Sequence, residues 1–219
     1  DFAARITDID LAQELGEDAI GAIGQAIAQY AVLVFPNQPL TDDQHSDFTR
    51  RFGSIDKGLL LNTKRKRRLE NVDVMDLANV DMEGNVLPAT NIRNVSLIAN
   101  QYWHADSSFK NPAGKYSILC GINLPATGGH WAYHSRNMLG GGGYSQEELD
   151  NLPPVHWPMV HTIAESNRKS LYIGIHAREI QGIWTPEARM LLHDLLEHAT
   201  QRQFVYRHEW RANDVLMWD

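Results

Sequence analysis

Apolar residues recur at helical spacing through Ile20, Ile23, Ile27 and Tyr30 and predict a helix over residues 18–30. Ala31 to Phe35 is a continuous apolar run that reads as a buried strand, stopped by Pro36. Thr41 and Gln44 stand three apart, as in a capping box, and open a second helix that reaches about Phe52, with Gly53 ending it. Val72 to Leu77 reads as a strand and Glu83-Gly84-Asn85 as a turn, while residues 86–99 follow neither period. Gln101 to Phe109 alternates loosely, and Tyr116 to Ile122 is a further strand. Pro125 and Gly128-Gly129 break the chain, and Ser145 with Glu148 caps a short helix.

In the last third, Val155 to Ile163 and Ser170 to His176 read as two strands around a turn at Glu165 to Arg168. Thr185-Pro186 starts a helix, with proline at its first position, whose apolar side is expected to bury Met190, Leu191, Leu195 and His198. Phe204 to Trp210 and Val215 to Trp218 read as a hairpin about Arg211 to Asp214. Short strands thus dominate the centre and end, with helices outside them. The pattern predicts a single, mostly β domain with flanking helices, an antiparallel sandwich or jelly roll. The chain begins at Asp1, and the apolar Val215-Leu216-Met217-Trp218-Asp219 resembles a strand in mid-course, so it is expected to be part of a longer protein.

Composition narrows the classes. The 219 residues are 43% hydrophobic and 21% charged, as in an ordinary globular protein. There is no apolar run of membrane-spanning length and no visible secretory leader. A formal net charge of -7 argues against general nucleic-acid affinity. The single cysteine, Cys120, leaves no internal disulfide and reads as a small core residue in a reducing, cytoplasmic compartment. The basic run Lys64-Arg65-Lys66-Arg67-Arg68 opposes the overall charge. It reads as a solvated loop or, alternatively, as a loop over an anionic substrate pocket.

The candidate chemistry lies in Trp103-His104-Ala105-Asp106. On a strand, residues two apart share a face, so this imidazole and carboxylate can take adjacent positions on one metal. A third ligand would complete a 2-His-1-carboxylate face with three positions open. On these residues alone, a strand histidine bonded to a nearby carboxylate stays open. The other histidines, His45, His156, His161, His193, His198 and His208, show no closed-site ligand spacing and read as structural.

Longer stretches carry more information. Asn100-Gln101-Tyr102-Trp103-His104-Ala105-Asp106-Ser107-Ser108-Phe109 resembles the iron-binding segment of Fe(II)/2-oxoglutarate-dependent dioxygenases of the taurine and 2,4-dichlorophenoxyacetate dioxygenase family. So do Lys115 to Leu119, Leu124 to Gly129, Leu152 to Val155, Gly174 to Ala177, Leu196 to Gln201, and Phe204 to His208 with Met217-Trp218-Asp219. The resemblance covers nearly the whole chain.

It implies a double-stranded β-helix, with Fe(II) held by His104, Asp106 and a distal histidine that would lie beyond Asp219. It places Asn100 near 2-oxoglutarate, and Ser135, Arg136 and His176 on the substrate wall. Taken as residues alone, His176 equally suits a sheet position and Arg136 the surface. The family's continuation after Gly-Gly is absent here, and His130 follows Gly129 directly. A segment of roughly 25–30 residues, enough for a strand and a helix, is therefore expected to be missing at that point.

The implied reaction consumes dioxygen and 2-oxoglutarate and hydroxylates a small-molecule carboxylate, an aryloxyalkanoate such as 2,4-dichlorophenoxyacetate. Collapse of the product gives a phenol and glyoxylate, beside succinate and CO2. An alkyl sulfonate is the alternative substrate within the family. A zinc hydrolase using His104 and Asp106, or a non-catalytic binding domain on this fold, is the alternative outside it. Neither a nucleic acid nor a membrane is an expected partner, and a homo-oligomer is left open.

Overall fold

The computed structural model describes residues 2–56, 67–91, 94, 102–124 and 154–219. The short helix expected at Ser145 to Glu148, the Gly129–His130 junction, Asn100, Ser135, Arg136 and most of the basic run lie outside these residues.

Helix α1, Glu17–Tyr30, forms where expected. Glu17 and Asp18 stand in its first turn, where their charge complements the helix dipole, and Ile20, Ile23, Ile27 and Ala28 form its buried stripe. It ends on Ala31, which is left-handed (φ 64°) and donates its N–H to Ile27 O. The chain then turns at once into β2, Val32–Phe35. Helix α2, Asp42–Arg50, opens on a complete capping box: Gln44 N donates to the Thr41 hydroxyl and Thr41 N to Gln44 Oε1. Its end leads to Gly53 at φ 141°, a conformation that suits glycine.

A four-stranded sheet runs in the order β1 (Ala4–Arg5), β2, β6 (Val215–Trp218), β3 (Ser117–Cys120). β6 is antiparallel to both neighbours, with Leu33 opposite Met217 and Phe35 opposite Val215 on the β2 side. Those four side chains are fully buried and meet Leu11, Ile23, Ile27 and Phe48 in one core. Burying a side chain of this size stabilises the fold by about 1.5–3 kcal/mol. An edge-to-face series, Phe35–Phe48–Phe52–Tyr116, carries the core from the sheet across α2 to the residue before β3.

The remaining elements among the described residues are the hairpin β4 (Val160–Ile163) and β5 (Arg168–Leu171), helix α3 (Thr185–Ala199) and a 3-10 turn at Arg202–Phe204.

Four expectations need correction. Val72 to Leu77 is no strand; Asn71 accepts from Asp73 N at 2.9 Å and starts a turn, and that side-chain bond outweighs strand propensity. Residues 102–109 run through an irregular stretch into a turn. In α3 the buried positions are Ala188 and Leu192; Met190, Leu191 and His198 are exposed, so the buried stripe is rotated from the predicted one. Finally, the Arg211–Asp214 turn exists, with Asp214 N bonded to Arg211 O, but 205–210 forms no ladder with β6. β6 pairs with β2 and β3 instead, because only there do Val215 and Met217 reach the core.

Candidate active site

The irregular stretch 102–105 is held in place by its neighbours. Ile175 N donates to Trp103 O at 2.9 Å, laying 172–176 alongside it. Gly174 sits at the closest approach: a β-carbon there would lie 2.8 Å from His104 Cα and 3.1 Å from Ala105 N. Only glycine permits this spacing. Beyond Asp106, Ser107 is left-handed (φ 55°), and its hydroxyl donates to Asp56 Oδ2 at 2.7 Å. Lys110 pairs with the same carboxylate. From the other side, Trp157 donates its indole N–H to Ser108 O at 3.0 Å.

His104 and Asp106 therefore converge without a regular strand. Their Nε2 and Oδ1 atoms are 3.1 Å apart. His104 Nδ1 bonds Tyr102 O at 2.7 Å, and Asp106 Oδ2 accepts from the Ser117 hydroxyl at 2.6 Å. Each side chain is thus fixed through its outer atom, leaving Nε2 and Oδ1 turned toward one another. The Asp106 hydrogen bond raises the pKa of His104 against an opposing desolvation. The His104 hydrogen bond in turn lowers that of Asp106, with Ser117 and Trp218 adding to the effect. The shift keeps Asp106 in the ionised form that binds metals, whereas His104 must give up its proton to an incoming ion.

These donors fit an ion. Nitrogen and oxygen ligands bind at about 2.0–2.2 Å, so adjacent ligands of one ion lie about 3 Å apart. The backbone carbonyl on Nδ1 and the hydroxyl on Oδ2 are the outer partners that metal-binding histidine and carboxylate groups require. Among the described residues no group of three or more histidine, cysteine, aspartate or glutamate side chains converges, so these two form the described part of the set.

His176 lies beside them, its ring centroid 6.3 Å from that of His104. Partial desolvation, then His104 and Arg178, lower its pKa and favour the neutral ring.

Trp157 and Tyr172, not singled out in the sequence, and His161, read there as structural, close the Asp106 side. His161 stacks on Tyr172 at 4.5 Å, and Trp157 meets both edge-on or tilted. Burial, followed by the Asp106 charge, raises the pKa of Tyr172. Tyr172 Oη and His161 Nε2 are buried without a hydrogen-bond partner. Ser117 also escaped the sequence reading; a hydroxyl at the head of an otherwise apolar strand was its only signal.

The other histidines are placed elsewhere. His208, read in the sequence as structural, bonds Asp214 at 3.0 Å and Tyr206 at 3.2 Å. Cys120 is half-buried, and desolvation pushes its thiol up to about 12.

Comparison with known proteins agrees with the geometry. Residues 1–132 and 129–219 match the family described as "Taurine catabolism dioxygenase TauD, TfdA family". The chain is 39% identical over 246 residues to the alpha-ketoglutarate-dependent 2,4-dichlorophenoxyacetate dioxygenase of Cupriavidus pinatubonensis, covering 100% of this chain and 86% of that one. It is 28% identical over 256 residues to the (S)-phenoxypropionate/alpha-ketoglutarate-dioxygenase of Delftia acidovorans, covering 100% and 83%. The crystal structure of AAD-2 in complex with Mn(II) and N-oxalylglycine superposes with a TM-score of 0.85 at 32% identity, covering 100% of this chain and 85% of that one. The chain belongs to the taurine catabolism dioxygenase TauD, TfdA family.

Proposed function

We propose that this protein is an Fe(II)- and 2-oxoglutarate-dependent dioxygenase that cleaves an aryloxyalkanoate, such as 2,4-dichlorophenoxyacetate, to a phenol and glyoxylate. The observation that carries the reading is the pairing of His104 Nε2 with Asp106 Oδ1 at 3.1 Å, with each outer atom already engaged. Relatives named for 2,4-dichlorophenoxyacetate and phenoxypropionate support the substrate class.

His104 and Asp106 would hold the metal. Bound Fe(II) would supply the oxidation that converts 2-oxoglutarate and dioxygen to succinate and CO2 and hydroxylates the carbon beside the substrate's ether oxygen. The hydroxylated product is a hemiacetal; its hydroxyl proton passes to the aryl oxygen as the C–O bond breaks, releasing phenol and glyoxylate. The chain contributes orientation and exclusion of water. Tyr102 O and Gly174 set the His104 ring, and Ser117 sets the Asp106 carboxylate. The neutral His176 ring stands where a substrate carboxylate could accept a hydrogen bond from it. Asn100, Ser135 and Arg136 keep their proposed roles, near 2-oxoglutarate for the first and on the substrate wall for the other two.

The fold we read is a single jelly-roll domain, of which the β1-β2-β6-β3 sheet is the described part. Two matched spans that overlap at 129–132, and an alignment longer than the chain itself, support a segment absent after Gly129. The lone free cysteine supports a reducing, cytoplasmic location.

The test is turnover with Fe(II) and 2-oxoglutarate, following succinate and phenol. Release of 2,4-dichlorophenol dependent on both supports the assignment. Turnover of taurine without phenol release rejects the aryloxyalkanoate and leaves the iron chemistry. Absence of succinate with every substrate rejects both.

A further inference from the structure

The two oxygens of Asp106 serve different neighbours. Oδ1 faces His104, and Oδ2 accepts the short bond from Ser117. Ser117 opens β3, and its register partner on β6 is Trp218, which stands near enough to help lower the Asp106 pKa. β6 is an interior strand, held by β2 on its far side. The Ser117 donor to Asp106 is therefore placed by ladder hydrogen bonds, while Asp106 itself sits at the start of a turn. A carboxylate can bind a cation through one oxygen or through both. Chelation by both would take a position that 2-oxoglutarate or dioxygen needs.

We infer that Ser117 is a positioning residue: by bonding Oδ2 it keeps Asp106 to one-oxygen coordination, so that the metal retains room for the chelating 2-oxo acid. This rests on His104 and Asp106 being metal ligands, as proposed above. The Oδ2 lone pair that takes the Ser117 proton is unavailable to an ion, which makes Oδ2 the weaker ligand of the two oxygens.

Metal-free wild type, Ser117→Ala, Ser117→Cys and His104→Ala are titrated with Mn(II), read as loss of the free-ion electron paramagnetic resonance signal. The Mn(II)-loaded proteins are then titrated with 2-oxoglutarate. The expected result is about tenfold or more loss of 2-oxoglutarate or Mn(II) affinity in Ser117→Ala. Ser117→Cys, with a weaker donor of similar size, should lose less and keeps the test valid if the alanine variant misfolds. Unchanged affinities in both Ser117 variants, with Mn(II) lost in His104→Ala, would overturn the inference and leave the metal site standing. Mn(II) affinity unchanged in His104→Ala would overturn the metal site and the inference together.

Discussion

Gly174 approaches His104 so closely that a β-carbon on it would sit 2.8 Å from the His104 Cα. The contact is backbone against backbone, so neither side can yield by rotating a side chain. Gly174→Ala is expected to lower stability by about 1–3 kcal/mol, the usual cost of overpacking. It should also displace His104 from Asp106. Thermal denaturation with parallel Mn(II) titration checks this; a stable variant with wild-type metal affinity would refute it.

His176→Ala tests the substrate wall. Loss of one hydrogen bond to a carboxylate is expected to cost about 1.5–3 kcal/mol. That corresponds to roughly a tenfold to hundredfold higher KM for 2,4-dichlorophenoxyacetate if binding is uniform. Uncoupled 2-oxoglutarate turnover should stay near wild type, because His176 is absent from the paired donors. Arg136→Ala is expected to behave alike. Steady-state kinetics with and without substrate give both numbers, and an unchanged KM removes the residue from the site.

Tyr172→Phe should stabilise the protein. The Tyr172 hydroxyl is buried without a partner, which costs about 1–3 kcal/mol. Its removal keeps the stack on His161 and is expected to raise the melting temperature by about 2–4 °C per kcal/mol recovered. Calorimetry on metal-free protein decides; a lower melting temperature would show that the hydroxyl finds a partner in solution.

His45 imposes a pH dependence. Burial lowers its pKa below the ordinary 6.5, against a bond to the Ile118 backbone and the Asp42 charge. The unfolded chain therefore binds this proton more readily than the folded one. Stability rises with pH through the interval between the depressed folded value and 6.5, and is lost on acidification below 6.5. His176 is shifted in the same sense. In His45→Gln the difference in melting temperature between pH 7 and pH 5 should shrink; an unchanged difference would assign the effect elsewhere.

Much of this was legible in the residues. The Ile20–Ile23–Ile27 stripe, the Thr41/Gln44 capping box and the apolar run before Pro36 each carry a local physical cause, and each formed its element. What escaped depends on distant partners. Val72 to Leu77 has strand residues but pairs with no strand among the described residues, and Asn71 turns it instead. Met190 and Leu191 match helical spacing, yet the neighbours of α3 select Ala188 and Leu192. The pairing of His104 with Asp106 was expected from strand alternation and arises instead in an irregular stretch braced by Gly174 and Ser117. The residue types suggested the pairing, while the backbone reason for their convergence lay seventy residues away at Gly174.

The position of β6 has a consequence for biosynthesis. Leu33 and Phe35 leave the ribosome long before Met217 and Val215, the residues they face across the sheet. Until then β2 and β3 lack the strand that lies between them, and their apolar edges can pair with other chains. The nascent protein must therefore stay soluble with its sheet open until β6 is made. Chaperone binding over that interval should raise the yield of folded protein.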